Sequence, residues 1–201
     1  MSLVSRLKQW GFNQLTSSTE DRAIAKVLKN ISRESKILDV GCGYGDKIKQ
    51  LKSLGFTNFT GVEKSPETLK AMVKDGFNVI AVEEVESQLD KGSFDLIVFS
   101  HIIEHFNYMD LKAFIEYYLQ FLKVGGQILI ITPTLSYTFY NDFDHVKPYN
   151  VQAINSVFIK EKNQVQFRSE HRLKLSDFYF RKSPLLMFFP YRGHVLGRRN
   201  P

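Results

Sequence analysis

Ten residues, Ile37-Leu38-Asp39-Val40-Gly41-Cys42-Gly43-Tyr44-Gly45-Asp46, run an apolar strand into a turn with glycine at every second position and then into a helix. Glycines so spaced let the main chain turn with positive φ and let a ligand reach the backbone without meeting a Cβ. A nucleotide-type cofactor is the first hypothesis for such a turn. A dinucleotide fingerprint needs G-x-G-x-x-G, with a pyrophosphate on the helix N-terminus. This chain reads G-x-G-x-G, with Asp46 where the helix opens, and a carboxylate there repels a pyrophosphate.

From Lys36 onward, short β-rich runs alternate with helical segments, the pattern of βαβ units in a mainly parallel sheet. The strands expected are Lys36–Val40, Asn58–Val62, Asn78–Val82, Phe94–Ser100 and Gln127–Thr132, and the helices are Asp46–Leu54, Pro66–Lys74 and Met109–Leu122. Ser65-Pro66 supplies a cap and a first-turn proline to the second helix. Right-handed crossovers put such helices on both faces, leaving a crevice at the carboxyl ends of the strands with the glycine turn on its rim. Upstream, Ser2–Leu15 and Asp21–Asn30 read as helical layers, the first amphipathic and basic enough for a membrane surface to be a rival to docking. Downstream, Asn150 is placed to cap a helix running to about Lys160, and Val165–Leu173 reads as a strand.

The D-x-G-x-G form of Asp39–Gly43 resembles the first motif of the class I S-adenosylmethionine-dependent methyltransferases. Four more segments stand in that family's order: Asn58–Val62 ending in Glu63, Phe94–Ser100, the Glu104-His105 pair after it, and the F-L-K-V-G-G turn before Gln127–Thr132. The resemblance covers roughly Ser35–Pro133. It implies a Rossmann-like α/β fold, S-adenosylmethionine as cofactor and S-adenosylhomocysteine as product. It places the cofactor on Asp39, Gly41, Cys42, Gly43 and Gly45, with the ribose on Glu63 beside Lys64. The adenine falls near Glu83 and Glu84, while Ser100 and His101 lie over the same crevice.

Residue chemistry supports several of these placements. Asp39 can organise the loop or attract the cationic methionine end, and the Glu63 carboxylate can accept two hydrogen bonds from a cis-diol. Glu104 can buttress the next helix with His105 packed beneath it, or act in the site. His145 is the candidate general base, since imidazole titrates near neutrality and the adjacent Asp144 is placed to orient it. Asp144-His145-Val146-Lys147-Pro148-Tyr149 also resembles an H-V-R-P-[FY] segment of methyltransferases that modify sugars and surface polysaccharides, with Lys147 in place of arginine. No His, Cys and carboxylate group stands at metal-ligand spacing along the chain, so no metal is expected.

The 201 residues suffice for a sizeable core. The reading is one domain, with residues 1–34 a helical cover, 35–133 the cofactor core, and 134–201 an acceptor loop and C-terminal elements. The lone cysteine, Cys42, cannot make an internal disulfide, and neither a signal sequence nor a membrane-length apolar run is evident; a cytoplasmic protein is expected. The net charge of +6 thickens toward the C-terminus, at Arg168, Arg172, Lys174, Arg181, Lys182, Arg192, Arg198 and Arg199. It favours anionic partners or a membrane's inner face. The apolar run Pro184–Tyr191 beside Arg192 reads as core packing, with a lipid-facing patch as its rival. The function expected is O-methylation of a sugar or lipid-linked glycan. RNA or protein methylation and cofactor binding without turnover are the rivals, although no N/D-P-P-[YF] tetrapeptide follows the fourth strand.

Overall fold

A computed structural model describes residues 20–159, 172–181 and 192–200. Strands β1 (Lys36–Val40), β2 (Asn58–Glu63), β3 (Val79–Ala81), β4 (Phe94–Ser100) and β5 (Leu122–Pro133) run parallel. Strand β6 (Arg172–Arg181) joins them through β7 (Arg192–Asn200), which is antiparallel to both β5 and β6. The order is β3-β2-β1-β4-β5-β7-β6, so the sheet ties the strands of residues 36–133 to the C-terminal segments.

Alternation along the strands divides the core in two. One face takes Leu38, Val40, Ile97, Phe99, Ile128 and Ile130, and packs on α4 (Val85–Gln88), α5 (Tyr108–Leu119) and α6 (Val151–Phe158) through Val85, Ile115, Tyr118, Ile154 and Phe158. The other takes Ile37, Leu96, Val98, Leu129 and Ile131. It packs on α1 (described from residue 20 to 27), α2 (Asp46–Ser53) and α3 (Pro66–Lys74) through Ile24, Ile48, Leu51 and Met72. Helices on both faces make the α/β architecture expected from the βα repeats. No helix among the described residues is long and apolar enough to cross a membrane.

Helix starts follow local chemistry. Ser65 Oγ accepts from Thr68 N ahead of Pro66, Asn107 Oδ1 accepts from Met109 and Asp110 N, and Asn150 Oδ1 accepts from Ala153 N. Boundaries move where pairing outweighs propensity. Helix α5 stops at Leu119 rather than Leu122, because Leu122 pairs with Phe94 on β4. The next pair is Leu96 with Gln127, so the intervening Lys123–Gly126 turn bulges out of a strand that is longer than Gln127–Thr132. Strand β3 ends at Ala81, and Val82–Glu84 winds into a 3-10 turn instead of continuing the strand.

The C-terminal region departs most from the reading. Arg192, Arg198 and Arg199 stand in β7, the strand between β5 and β6. The expected strand at Val165–Leu173 has its described counterpart in β6, starting at Arg172. Residues 165–171, the apolar run 184–191 and the helix expected at residues 2–15 lie outside the described residues.

Candidate active site

The strand order reverses between β1 and β4, and ligands of open α/β sheets bind in the crevice beyond the strand ends at such a point. A cleft of about 310 Å³ lies there, lined by Asp39, Gly41, Cys42, Gly43, Tyr44, Asp46 and Lys47 after β1 and by Ser100 and His101 after β4. The glycine turn is tied to the sheet by Gly41 N and Cys42 N, which donate to Val62 O at 2.8 and 3.0 Å. Gly43 has φ +51°, and a Cβ there would meet no heavy atom within 4 Å, because it would project into open space. Gly41, at φ +69°, is closed instead, since a Cβ would collide with the Ile102 side chain.

Asp39 is 1% exposed, and neither carboxylate oxygen has a hydrogen-bond partner. Burial pushes its pKa up to about 7, Lys47 opposing the rise and Glu63 adding to it. An unpaired buried carboxylate is costly, so Asp39 calls for a cationic ligand. Its cleft thus fits the methionine end of S-adenosylmethionine. Cys42 is buried, its thiol pushed up to about 12 mainly by burial, with Asp39 and Glu63 contributing; it is a packing group, not a reactive thiolate.

The acids expected around ribose and adenine have backbone partners of their own in part. Glu63 Oε2 accepts from Gly43 N, and Oε1 accepts from Lys64 N and Ser65 N, each at 2.8 Å. Glu63 therefore clamps the glycine turn, and Oε2 keeps a lone pair for a ligand hydroxyl. Lys64 is exposed. Glu83 and Glu84 are exposed beyond β3, and Glu84 Oε2 caps its own turn by accepting from Ala81 N at 3.2 Å. None of these four lines the cleft. Short-range backbone donors claim the carboxylates of Glu63 and Glu84.

A second cleft, about 350 Å³, opens beside the first and shares His101 with it. His101 has φ +56°, a left-handed conformation that costs a non-glycine residue of order 1–3 kcal/mol and clusters at functional sites. A short 3-10 turn, Ile103–His105, follows. Glu104 within it is fully buried. Its Oε2 accepts from Thr132 Oγ1 at 3.1 Å, its Oε1 lies 3.3 Å from His101 Nδ1, and its carbonyl accepts from Val146 N and Lys147 N. Glu104 thus holds the loop after β5 rather than the following helix, whose cap is Asn107.

That loop brings His145 into the second cleft, where its ring lies 4.6 Å from buried Phe139 and 5.1 Å from His105. Asp144 does not orient His145. Its Oδ2 stands 3.3 Å from His105 Nδ1, because consecutive side chains leave the loop in different directions. The carboxylate facing His145 is Asp142, with Oδ2 3.6 Å from Nε2. Sequence reasoning passed over Asp142 although it stands in the same acidic loop. Lys147 Nζ lies 5.7 Å from the rings of both Tyr108 and Tyr149, so cation–π contact replaces the anion contact expected of an arginine there. Glu104, His105 and His145 are unremarkably spaced in sequence but are gathered by the fold, one potential ligand atom from each lying within 4.8 Å of the others.

A larger cavity of about 740 Å³ is bordered by the same loop and by α6 and β6, at Leu135, Pro148, Val151, Asn155, Leu175 and Phe178. None of its lining residues carries a titratable side chain. On the loop's outer side Tyr137, Tyr140 and Phe143 are exposed.

A methyltransferase-domain family model matches residues 12–175. Among solved structures, the chain is similar to an S-adenosylmethionine-dependent methyltransferase from Archaeoglobus fulgidus at 19% identity, covering 89% of this chain and 94% of that one, with TM-score 0.62. It is similar to the methyltransferase domain of bacterial CtHen1-CN at 20% identity, covering 91% and 99%, with TM-score 0.63. A geranyl diphosphate methyltransferase in complex with S-adenosylmethionine aligns at 12% identity over 90% and 85%, with TM-score 0.64. These likenesses show the fold. No curated protein matches the sequence.

Proposed function

The chain belongs to the methyltransferase-domain family, and from that membership we propose that it takes a methyl group from S-adenosylmethionine and delivers it to a hydroxyl of a sugar or lipid-linked glycan. The observation that carries this reading is the pair of clefts meeting at His101, one with an unpaired buried carboxylate and one lined by His105, Ser136, Thr138, Asp142 and His145. Methyl transfer from a sulfonium is an in-line displacement, so placing donor and acceptor on either side of one residue supplies much of what catalysis needs. The carbon–sulfur pair stays on sulfur, the acceptor oxygen takes the methyl carbon, and the hydroxyl proton must leave. His145, which lines the second cleft, is the residue we assign to that proton. Exposed Tyr137, Tyr140 and Phe143 offer flat apolar faces to a sugar ring or a lipid surface, and the larger cavity accommodates the rest of the acceptor.

Incubation with methyl-labelled S-adenosylmethionine and a lysate from cells lacking the protein, followed by fractionation, tests the acceptor class. Label in glycan or lipid supports the reading; label in RNA or protein replaces it. His145→Ala is expected to lower transfer to the labelled acceptor by about 10²-fold or more, while cofactor affinity stays near normal.

Asp39 gives the cofactor step a pH signature. Its folded pKa of about 7 is raised from 3.8, so the stability this group contributes is present at low pH and is lost as pH rises through 7. A cationic ligand needs the carboxylate. Between pH 5.5 and 7 the affinity for S-adenosylmethionine should therefore increase with pH, by up to about tenfold per unit, and Asp39→Asn should flatten the profile. A flat profile in the wild-type protein would remove Asp39 from the site.

A further inference from the structure

Glu104, His105 and His145 form a group that methyl transfer to a hydroxyl does not by itself require. Glu104 is fully buried, its Oε1 takes no hydrogen bond, and its one polar neighbour at ion-pair distance is His101 Nδ1 at 3.3 Å. Both imidazoles are held by their Nδ1 atoms. His145 Nδ1 lies 2.7 Å from Phe139 O, and His105 Nδ1 lies 3.2 Å from Asp144 O and 3.3 Å from its Oδ2. Carbonyl oxygens only accept, so Nδ1 carries the proton in each ring and Nε2 presents a lone pair; the Asp142 carboxylate, with Oδ2 3.6 Å from His145 Nε2, adds negative charge beside that position. A carbonyl or carboxylate on the far nitrogen is the arrangement that fixes the tautomer and raises the basicity of a metal-ligating histidine.

We infer that Glu104, His105 and His145 bind one divalent first-row transition-metal cation in the second cleft. One potential ligand atom from each lies within 4.8 Å of the others. Ligands about 2.1 Å from a common ion stand about 3 to 4 Å apart, so small side-chain rotations close the difference. Two imidazole nitrogens and one carboxylate oxygen suit Zn²⁺ or Mn²⁺ better than Mg²⁺ or Ca²⁺, which prefer oxygen throughout. Three protein ligands leave coordination positions open toward the cleft, as catalytic sites do.

The role of that cation rests on the hydroxyl-acceptor reading above; its binding does not. An acceptor hydroxyl completing the coordination has its pKa lowered and releases its proton to bulk water. The oxygen then forms the bond to the methyl carbon while the carbon–sulfur pair departs with sulfur, without any change of oxidation state. With the cation bound, His145 serves as its ligand, and the hydroxyl proton it would otherwise take leaves to bulk water.

The test is a calorimetric titration of the chelator-treated full chain with Zn²⁺ and, separately, Mn²⁺, alongside a titration with S-adenosylmethionine. One site per chain for either ion is expected. His105→Asn and His145→Asn should each weaken it about tenfold or more, the scale on which metal sites respond to ligand and outer-shell changes, with S-adenosylmethionine affinity unchanged. Glu104→Gln should do the same, but it removes a buried group that holds a loop; His105→Asn, at a partly exposed position, keeps the test independent of folding. Binding of neither ion, or binding equally tight in His105→Asn, would overturn the site. Neither result touches the acceptor class, which the label experiment decides by itself. Transfer to the labelled acceptor that survives complete chelation would overturn the cation's catalytic role.

Discussion

Replacing Gly43 with valine is expected to weaken S-adenosylmethionine binding by about 100-fold or more, while leaving the protein folded. Two effects combine at this position. The backbone is at φ +51°, where a β-branched residue is a steric outlier. A Cβ placed there meets no protein atom within 4 Å, so the added volume enters the cleft where the ligand belongs. Gly43 N also donates to Glu63 Oε2 at 2.8 Å, and a shift of the turn would release that carboxylate. Gly76→Val is the control. It has φ +79°, and a Cβ there is equally unobstructed, but it lies in the turn after α3 and outside the cleft. Comparable destabilisation of both variants, with binding lost only in Gly43→Val, is the result expected from equilibrium dialysis and thermal melts. Wild-type affinity in Gly43→Val would show that the cofactor binds elsewhere.

Phe99→Ala is expected to cost about 3–5 kcal/mol of folding stability, the range for emptying a buried aromatic site, against a total of about 5–15 kcal/mol for a typical domain. Phe99 is 1% exposed on the central strand β4, with ring centroids 5.2 Å from Phe114 and 6.0 Å from Tyr118 of α5. It directly precedes Ser100 and His101, so the same packing sets where the two clefts meet. Phe143→Ala is the comparison. That ring is fully exposed on the acceptor loop, and its removal should stay within about 0.5 kcal/mol. Urea unfolding reads both, and a cost under 1 kcal/mol for Phe99→Ala would mean that α5 does not pack on β4 as described.

The cofactor end was legible in the chain because its signals are local. Asp39 to Asp46 specify strand, turn and helix within ten residues, and Ser65-Pro66, Asn107 and Asn150 each cap the helix they precede. Strands β1 and β4 fall on the expected residues because runs rich in Ile, Leu, Val and Phe are buried on both faces of a parallel sheet. Strand β7 gave no such signal, since Arg192, Gly193, Gly197, Arg198 and Arg199 dilute any alternation. It is a strand through its pairing with β5 and β6.

The acceptor end shows the limit in another way. His145 and Glu104 were both visible as chemistry-bearing residues, but Asp144 was paired with the wrong histidine, because neighbours in an irregular loop need not face the same way. The grouping of Glu104, His105 and His145 is invisible at a separation of forty residues in sequence.

The sequence alone therefore determined the βα order, the position of the glycine turn and the family whose fold this is, because strand burial, turn conformation and helix capping are set by residues a few positions apart. Only the tertiary structure decided which carboxylates remain unpaired, which imidazoles meet, and that a basic segment pairs within the sheet. Those depend on hydrogen-bond partners and burial supplied by distant segments, and a side chain's charge state and free lone pairs exist only once those partners are in place.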